Sequence, residues 1–216
     1  MLTTRLLAGT KTAAGVPPTY SFFGAVSSTT NTVTLPSSLL NGDIGVCIQT
    51  GLGQTNAEPT GWTLINTTSG TFDSTFSWKV LSASDSSSSV SGSNSPNVSY
   101  IGFHVQIFRP VPLVSVLISD AAANTQQSTI PPTLTAACTT YPAPNIVVAY
   151  SAAFGTANEP FINEGYWTQA AFTTSPSSAH LKSYYIIDSV NTSRSITQSA
   201  DYGSFNMTGI VCINGN

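Results

Sequence analysis

The chain has 216 residues, of which 41% are hydrophobic and only 7% are charged, and its formal net charge is −3 at pH 7. An ordinary globular domain carries roughly 25% charged residues. Hydroxyl and amide groups therefore have to keep this chain in solution, and its weak electrostatic self-repulsion favours association with neighbours. Six Lys and Arg residues are too few for a basic nucleic-acid-binding patch, and no apolar stretch approaches the roughly 20 residues of a membrane-spanning helix. We expect partners that are protein subunits rather than nucleic acid or membrane.

Residues 1–18 are predicted to form an N-terminal arm. Pro17-Pro18 can continue neither a helix nor a central strand. The segment has no apolar run longer than Leu6-Leu7-Ala8, unlike a secretory signal peptide, so we expect synthesis in a cytoplasm. The leucines would be buried against another subunit, where the basic residues would meet carboxylates. The arm residues expected to bind a partner are Leu2, Arg5, Leu6, Leu7 and Lys11.

From residue 20 onward the sequence predicts short β-strands and no helix. The strand signals are β-branched or aromatic runs bounded by Gly, Pro, Asn and Ser. Many short strands at near-regular spacing are typical of a sandwich or barrel. We predict an all-β, jelly-roll-like sandwich of two antiparallel sheets, in which residues 19–216 form a single domain. The predicted strands are 20–27, 32–35, 44–50, 62–67, 74–82, 87–91, 100–108, 115–119, 128–134, 146–152, 165–173, 180–189, 195–198 and 205–213.

The second half of the chain repeats the first in outline. Residues 43–48, Asp-Ile-Gly-Val-Cys-Ile, are echoed by residues 145–150, Asn-Ile-Val-Val-Ala-Tyr. Gly61-Trp62-Thr63 is echoed by Tyr166-Trp167-Thr168. The matches follow residue class more than identity, so similarity among Val- and Thr-rich strands is the competing explanation. We predict a duplicated sheet, with halves at about 20–110 and 115–213 related by an approximate two-fold axis.

Two strands have patterns that predict their surroundings. In 101–108 the odd positions are apolar, so they should face the core, while His104 and Gln106 face outward or into an interface. Residues 146–150 are apolar at every position, which predicts a central strand covered on both faces, or one with a face in a subunit contact.

The three cysteines, Cys47, Cys138 and Cys212, cannot all pair with one another. Cys47 and Cys212 lie inside predicted strands, where a free cysteine behaves as a small apolar residue. Given a cytoplasmic origin, we expect all three to be reduced.

The titratable groups give little support for catalysis. His104 is expected on a strand surface and His180 at a loop edge, and no nucleophile or metal-ligand motif surrounds either. A glycosidase-type pair could come from Glu58, Glu159 and Glu164, although the duplication explains two matching acidic loops equally well. We predict a protein that is not an enzyme, with no cofactor and no metal.

Aromatic residues offer one alternative function. Trp62, Tyr166 and Trp167 could stack on the sugar rings of a glycan. Trp62, Trp78, Trp167 and Tyr184, however, occupy equivalent positions inside strands of the two halves. Such positions are more typical of core residues than of a binding platform.

Three segments of the first half carry a resemblance to a known family. They are Asn41-Gly42-Asp43, then Pro59-Thr60-Gly61-Trp62-Thr63, and then Trp78-Lys79-Val80-Leu81-Ser82-Ala83-Ser84-Asp85, followed by a last strand that ends in Phe108-Arg109. This series resembles a β-sandwich module that recurs in virion proteins of tailed bacteriophages. The resemblance covers residues 40–109 well, covers the second half as a degenerate copy, and does not include residues 1–18. One departure is Gly45, where the family has a large apolar residue.

The resemblance implies a non-enzymatic virion protein, most simply a capsid decoration or cement protein that binds the major coat protein or other virion subunits. Such a protein would act as an oligomer, with a trimer favoured, gripping several coat subunits at a symmetry axis. The alternative is a tail or fibre-head module that recognises a host glycan. Because the sequence has no shaft repeat and no coiled-coil heptads, the decoration role is preferred.

Overall fold

The computed structural model describes residues 18–52, 57–68, 72–92, 100–112, 116–127, 133–138, 144–154, 162, 165–175, 179–190, 192–198 and 205–215. This part of the chain is all-β, as predicted, with fourteen strands and a single 3-10 turn at Ala83–Asp85. Residues 1–17 of the predicted arm, including all five of its contact residues, lie outside the described residues. The strands are β1 Thr19–Ser28, β2 Thr32–Thr34, β3 Ile44–Leu52, β4 Thr63–Thr68, β5 Phe72–Val80, β6 Ser89–Ser91, β7 Tyr100–Val111, β8 Val116–Gln127, β9 Leu134–Ala136, β10 Asn145–Phe154, β11 Thr168–Ser175, β12 Ala179–Asp188, β13 Arg194–Ile196 and β14 Phe205–Gly215.

The strands form two five-stranded antiparallel sheets, one from each half of the chain. The first sheet has the order β1-β7-β3-β5-β4 and the second has the order β11-β12-β10-β14-β8. Two further pairs, β2 with β6 and β9 with β13, form small two-stranded sheets. The antiparallel, two-sheet fold class is confirmed.

The strand orders of the two halves correspond one to one. If each strand of the first half is matched to the strand seven places later, β1-β7-β3-β5-β4 becomes β8-β14-β10-β12-β11, which is the second sheet read from its other edge. The contacts between the sheets are also reciprocal, since β1 contacts β11 and β4 contacts β8. Reciprocity of this kind is what a two-fold relationship produces. That the halves superpose as copies of one duplicated unit stays a prediction.

The main core lies between the two five-stranded sheets. Apolar side chains on the facing surfaces of both sheets interlock in one cluster, and together they remove a large apolar area from water. Its buried members include Ile44, Val46, Ile48, Phe76, Trp78 and Phe108 from the first sheet, and Ile146, Val148, Tyr150, Leu181, Val211 and Ile213 from the second.

Each sheet is also covered on its outer face. The β2–β6 pair packs over the first sheet around Cys47, Trp62 and Val105. The β9–β13 pair packs over the second sheet around Cys212, with Trp167 against the edge of that cluster. The two central strands, β3 and β10, are therefore buried on both faces, and the prediction that 146–150 form such a strand is confirmed.

The double covering corrects the prediction for His104. Phe103, Val105 and Ile107 are buried as predicted, but they face the outer β2–β6 layer. His104 and Gln106 are also fully buried, because their face of β7 packs against the second sheet rather than meeting solvent. The alternation was interpreted correctly, whereas the solvent-exposed option for His104 was wrong.

The cysteine prediction is partly wrong. Cys138 and Cys212 form a disulfide across a sequence separation of 74, while Cys47 is free and buried. Cys138 follows β9 in the layer over the second sheet, and Cys212 points into that layer from β14, so the two sulfur atoms meet. The bridge fastens this layer to the sheet. It also contradicts the argument that cytoplasmic synthesis leaves all three thiols reduced.

Among the described residues there is no helix long and apolar enough to cross a membrane.

Candidate functional site

Contacts between the sheets show that β3 and β10 run in the same direction. Phe108 pairs with Ile44, the first residue of β3, and Tyr185 pairs with Val148, the fourth residue of β10. The ring centroids of Phe108 and Tyr185 are 5.7 Å apart. Ser74 pairs with Thr50, the seventh residue of β3. The hydroxyl of Tyr150, the sixth residue of β10, donates a hydrogen bond to the hydroxyl of Ser74. Later residues of β3 thus lie over later residues of β10. Both central strands therefore begin at one end of the sandwich, which we call the entry end.

The entry end collects exposed apolar side chains. Six large hydrophobic residues are exposed in the described part of the chain, and four aliphatic ones lie here: Leu40, Val80, Val111 and Val190. Leu40 and Val111 are 53% and 61% exposed. The four positions therefore lie at the same end of the sandwich. Of the other two, Leu64 lies along the edge strand β4. Tyr166, in the turn before β11, is also at this end, with its ring centroid 5.2 Å from the guanidinium carbon of Arg194.

In the first half, the buried carboxylate of Asp43 fixes the backbone turn at the entry end. The carboxylate of Asp43 accepts two hydrogen bonds from Arg109, Nε to Oδ1 and Nη2 to Oδ2, each at 2.8 Å. Asp43 Oδ2 also accepts a bond from the backbone N–H of Leu40 at 2.8 Å. The hydrogen bonds to Asp43 raise the pKa of Arg109 above its usual value. The pair thus holds the turn that presents Leu40 to solvent.

The second half has a similar arrangement around Asp188. Asp188, 3% exposed at the end of β12, accepts a bond from Arg194 Nε at 2.6 Å. Its other oxygen accepts a bond from the backbone N–H of Val190 at 3.1 Å. Hydrogen bonding to Asp188 raises the pKa of Arg194. Each half therefore neutralises an arginine with a buried aspartate, and each aspartate positions an exposed apolar residue.

The N-terminal segment leaves the sandwich at the same end. Thr19, the first residue of β1, pairs with Val111, the last residue of β7. Pro18 is therefore adjacent to the exposed apolar group. The arm residues themselves are outside the described part, so their predicted contacts stay a prediction.

The three aromatic residues proposed for glycan stacking do not form one platform. Trp62 is buried in the layer outside the first sheet, and Trp167 packs against the layer outside the second sheet. Tyr166 is exposed beside Trp167, and its hydroxyl donates to the carbonyl of Ser195. Both five-stranded sheets lie between the two tryptophans. The expectation that Trp62 and Trp78 are core residues is confirmed, while Trp167 is half-buried.

Trp62 instead borders a cleft of about 220 Å³ on the outer side of the first half. Gly45 helps to set its position, since a Cβ at residue 45 would lie only 2.8 Å from Cη2 of Trp62. This close approach gives a physical reason for glycine where the phage module has a large residue. On the polar side of the cleft, Lys79 Nζ lies 2.6 Å from Asp85 Oδ1.

Asp85 anchors the 3-10 turn beside this cleft. Its Oδ2 accepts bonds from the backbone N–H and the hydroxyl of Ser82 at 2.8 and 2.9 Å. Burial opposes ionisation of Asp85, but the hydrogen bonds from Lys79 and Ser82 outweigh it and lower its pKa from 3.8. The carboxylate is therefore largely occupied by its own turn, whereas Lys79 retains donors that can face a ligand.

His104 is a buried structural group. Its Nδ1 is 2.9 Å from the hydroxyl of Ser183 and its Nε2 is 3.1 Å from that of Thr173, so it joins the two sheets. Burial lowers its pKa to about 3, which keeps the ring neutral. A serine and a histidine at this distance suggest nucleophilic catalysis, but the ring is 0% exposed and no carboxylate is placed to orient it among the contacts described. His180, the second residue of β12, lies next to the preceding loop as predicted but is buried, with its Nδ1 3.2 Å from Thr174 Oγ1.

Among the residues that the structure describes, the remaining candidates are not brought together into one site. Glu58 is half-buried, and the proposed partners Glu159 and Glu164 lie outside the described residues. The described ranges contain no group of three or more His, Cys, Asp or Glu side chains placed to hold a metal ion.

No family model, no curated protein and no solved structure matches this chain.

Sequence reasoning missed two features of these sites. Asp43 and Arg109 belong to two separate sequence motifs and are 66 residues apart, and this spacing does not predict that they form an ion pair. The Lys79–Asp85 pair had a usable signal, because a separation of six across a strand end and a turn allows a short-range ion pair.

Proposed function

We propose that this chain is a non-enzymatic structural protein of a bacteriophage particle, a capsid decoration or cement protein that binds coat subunits as an oligomer. The observation that carries the proposal is the entry end, with its four exposed apolar side chains next to the start of the arm. The resemblance of residues 40–109 to phage virion modules supplies the class of particle.

The entry end has the properties of a protein-binding surface. Exposed apolar groups gathered on one part of a soluble protein mark interaction sites. The two arginines at this end are paired with buried aspartates, so little unpaired charge would have to be desolvated on docking. The turns carrying Leu40 and Val190 are fixed by those same aspartates, which reduces the entropy lost on binding.

The arm extends the same surface in this proposal. Leu2, Leu6 and Leu7 would be buried on the coat protein or on a sister copy, with Arg5 or Lys11 on carboxylates there. A trimer is the oligomer that we favour, because a decoration protein at a symmetry axis grips several coat subunits at once. A surface with 7% charged residues offers little repulsion against such assembly.

Glycan recognition by a tail or fibre-head module is the second candidate, and one observation favours it. The cleft beside Trp62 is lined by one edge of the buried indole together with Lys79 and several hydroxyl groups. Tyr166 and Trp167 belong to a separate surface and do not contribute to that cleft.

Co-sedimentation with particles that lack the protein tests the assembly proposal. Full-length wild type should pellet with the particles, and a Leu40→Ser, Val111→Ser double variant should bind at least about tenfold more weakly, since two apolar contacts are lost. Leu64→Ser is the matched control, because Leu64 is an exposed leucine away from the entry end. Equal binding by the double variant and the control would rule out the entry end as the docking surface.

A further inference from the structure

The disulfide between Cys138 and Cys212 joins the second sheet to the layer that covers it. We call residues 133–138 and 194–198, which include β9 and β13, the second outer layer. We propose that the disulfide is a redox switch for the part of the entry end that the second half of the chain forms. In the disulfide form the layer and the turn beside it are fixed, and in the dithiol form both loosen and docking weakens. The consequence for docking rests on the function proposed above.

The second outer layer has small side chains to attach it to its sheet. Among the described residues, the members of this layer that are fully buried in the cluster over the second sheet are Ala136, Cys138 and Ile196. The first outer layer, residues 32–39 and 89–91, buries four larger aliphatic side chains instead: Val33, Leu35, Leu39 and Val90. Burial stabilises in proportion to apolar area, and a pair of three-residue strands has little stability of its own. The disulfide therefore supplies attachment that packing gives to the first outer layer.

Two hydrogen bonds hold the same short segment as the disulfide. The backbone N–H of Ala137 donates to Asp120 Oδ2 at 2.8 Å, and the carbonyl of Cys138 accepts a bond from Asn145 Nδ2 at 3.5 Å. Water can replace such partners when the segment moves away, so their net contribution is modest. They close the layer together with the disulfide and do not substitute for it.

A continuous set of contacts joins the disulfide to the entry end. Ala136, two residues before Cys138, pairs with Arg194, the first residue of β13. Arg194 Nε donates to Asp188 Oδ2 at 2.6 Å, and its guanidinium carbon lies 5.2 Å from the ring centroid of Tyr166. A layer that moves off the sheet therefore takes the cation away from the buried aspartate.

The exposed turn depends on that aspartate. Asp188 accepts the backbone N–H of Val190 at 3.1 Å, and Val190 is one of the exposed apolar residues of the entry end. The corresponding contacts of the first half, from Asp43 to Arg109 and to Leu40, involve no residue of the second outer layer. Reduction should thus act on one half of the entry end and leave the other half as an internal control.

The switch is an ordinary thiol–disulfide exchange, for which oxidised glutathione can serve as the oxidant. One cysteine thiolate attacks a sulfur of glutathione disulfide and releases a glutathione thiolate. The second cysteine thiolate then attacks the mixed disulfide and releases the other glutathione, so two thiols are oxidised and one disulfide is reduced. Because Cys138 and Cys212 are both fully buried, either direction of the exchange requires the layer to open.

Hydrogen–deuterium exchange of the full-length protein tests the switch without any particle. The dithiol form is made by reduction in urea and refolding under a phosphine reductant, and alkylation after denaturation counts its thiols. On reduction, exchange in the second outer layer and at residues 188–190 should accelerate at least about tenfold more than exchange in the first outer layer.

Cysteine variants give a matched comparison. The Cys138→Ala, Cys212→Ala variant should reproduce the dithiol form. Cys47→Ala removes the thiol that is outside the disulfide, so this variant should respond to reduction as the wild type does. The comparison of the two wild-type forms decides the point if the double variant does not fold.

Co-sedimentation with particles that lack the protein measures the consequence for docking. The dithiol form should bind at least about threefold more weakly than the disulfide form. Leu40→Ser should weaken both forms by the same factor, because Leu40 lies in the other half of the chain.

The inference is overturned if reduction leaves the exchange of the second outer layer unchanged, if both outer layers loosen equally, or if the two forms bind particles equally. If neither form binds particles, the assembly proposal fails. The exchange comparison then still decides whether the disulfide controls this half of the entry end.

Discussion

Asp43 and Arg109 join the beginning of β3 to the end of β7 through two hydrogen bonds of 2.8 Å. The two residues are the Asp of the Asn-Gly-Asp turn and the Arg of the Phe108-Arg109 motif near the end of β7, so two separate motifs of the sequence meet in one ion pair. Asp43 also accepts a hydrogen bond from the backbone N–H of Leu40. The motifs therefore specify the shape of the entry end.

Replacing Arg109 should lower the free energy of unfolding, because its partner Asp43 is only 1% exposed. Arg109→Leu leaves that carboxylate buried without its cation and should lower the free energy of unfolding by roughly 3 kcal/mol. Arg109→Lys keeps the charge but loses the paired hydrogen bonds, so its cost should be smaller. Urea unfolding measures both. The control is Lys79→Met at the more exposed Lys79–Asp85 pair, where a loss of about 1 kcal/mol or less is expected. Equal losses at the two pairs would contradict this account.

His104 should make stability depend on pH. In the folded protein burial lowers its pKa to about 3, while in the unfolded chain it titrates near 6.5. Below pH 6.5 the unfolded state therefore binds a proton that the folded state does not, and stability falls as the pH falls, by roughly 1.4 kcal/mol per unit until about pH 3. His104→Gln should lose this contribution. Unfolding free energies of the two proteins between pH 7 and 5 give the comparison, and parallel curves would contradict a buried neutral imidazole.

The disulfide predicts one reactive thiol in the unfolded protein. Alkylation under denaturing, non-reducing conditions should label Cys47 alone, and reduction should release Cys138 and Cys212 as well. Intact mass measures the label. A Cys138→Ser, Cys212→Ser variant should be less stable by about 4 kcal/mol, because the bridge closes a loop spanning a separation of 74. Three labelled thiols before reduction would restore the prediction made from the sequence.

Trp78 should be a structural residue. It is 6% exposed in the cluster between the sheets, so Trp78→Ala should cost about 3–5 kcal/mol through lost burial and a cavity. Leu64→Ala, at an exposed position, should change stability by about 0.5 kcal/mol or less. Thermal or urea unfolding of the two variants decides the point, and a small effect at Trp78 would mean that the main core tolerates its loss.

The sequence was a good guide to the strands, because the β-branched runs and the turn residues between them are local signals. Each of the fourteen strands has a predicted counterpart. The largest error is β8, predicted to end at residue 119 but continuing to Gln127. Residues 120–127, Asp-Ala-Ala-Ala-Asn-Thr-Gln-Gln, have low strand propensity and form a strand because they pair with β14. Part of the range 128–134, predicted as the next strand, lies outside the described residues, and β9 begins at Leu134.

The environment of each face was harder to predict than the strand itself. Alternation separates the two faces of β7, but it does not reveal that a second sheet covers one and a β2–β6 layer covers the other. His104 was assigned to a surface for this reason. The disulfide was missed on similar grounds, since Cys138 and Cys212 meet only after β9 has packed on the sheet. The apolar entry end depends on which strand ends coincide, and that is a property of the topology.

The central claim is that this chain decorates a phage capsid through its entry end. Cryo-electron microscopy of particles that carry the chain tests this most directly, because the two packed five-stranded sheets can be placed in the density. The account predicts copies on the outside of the capsid around a symmetry axis, with Leu40, Val111 and residues 1–18 against coat subunits. Density for this chain on the tail, or on the capsid with the entry end facing solvent, would contradict it.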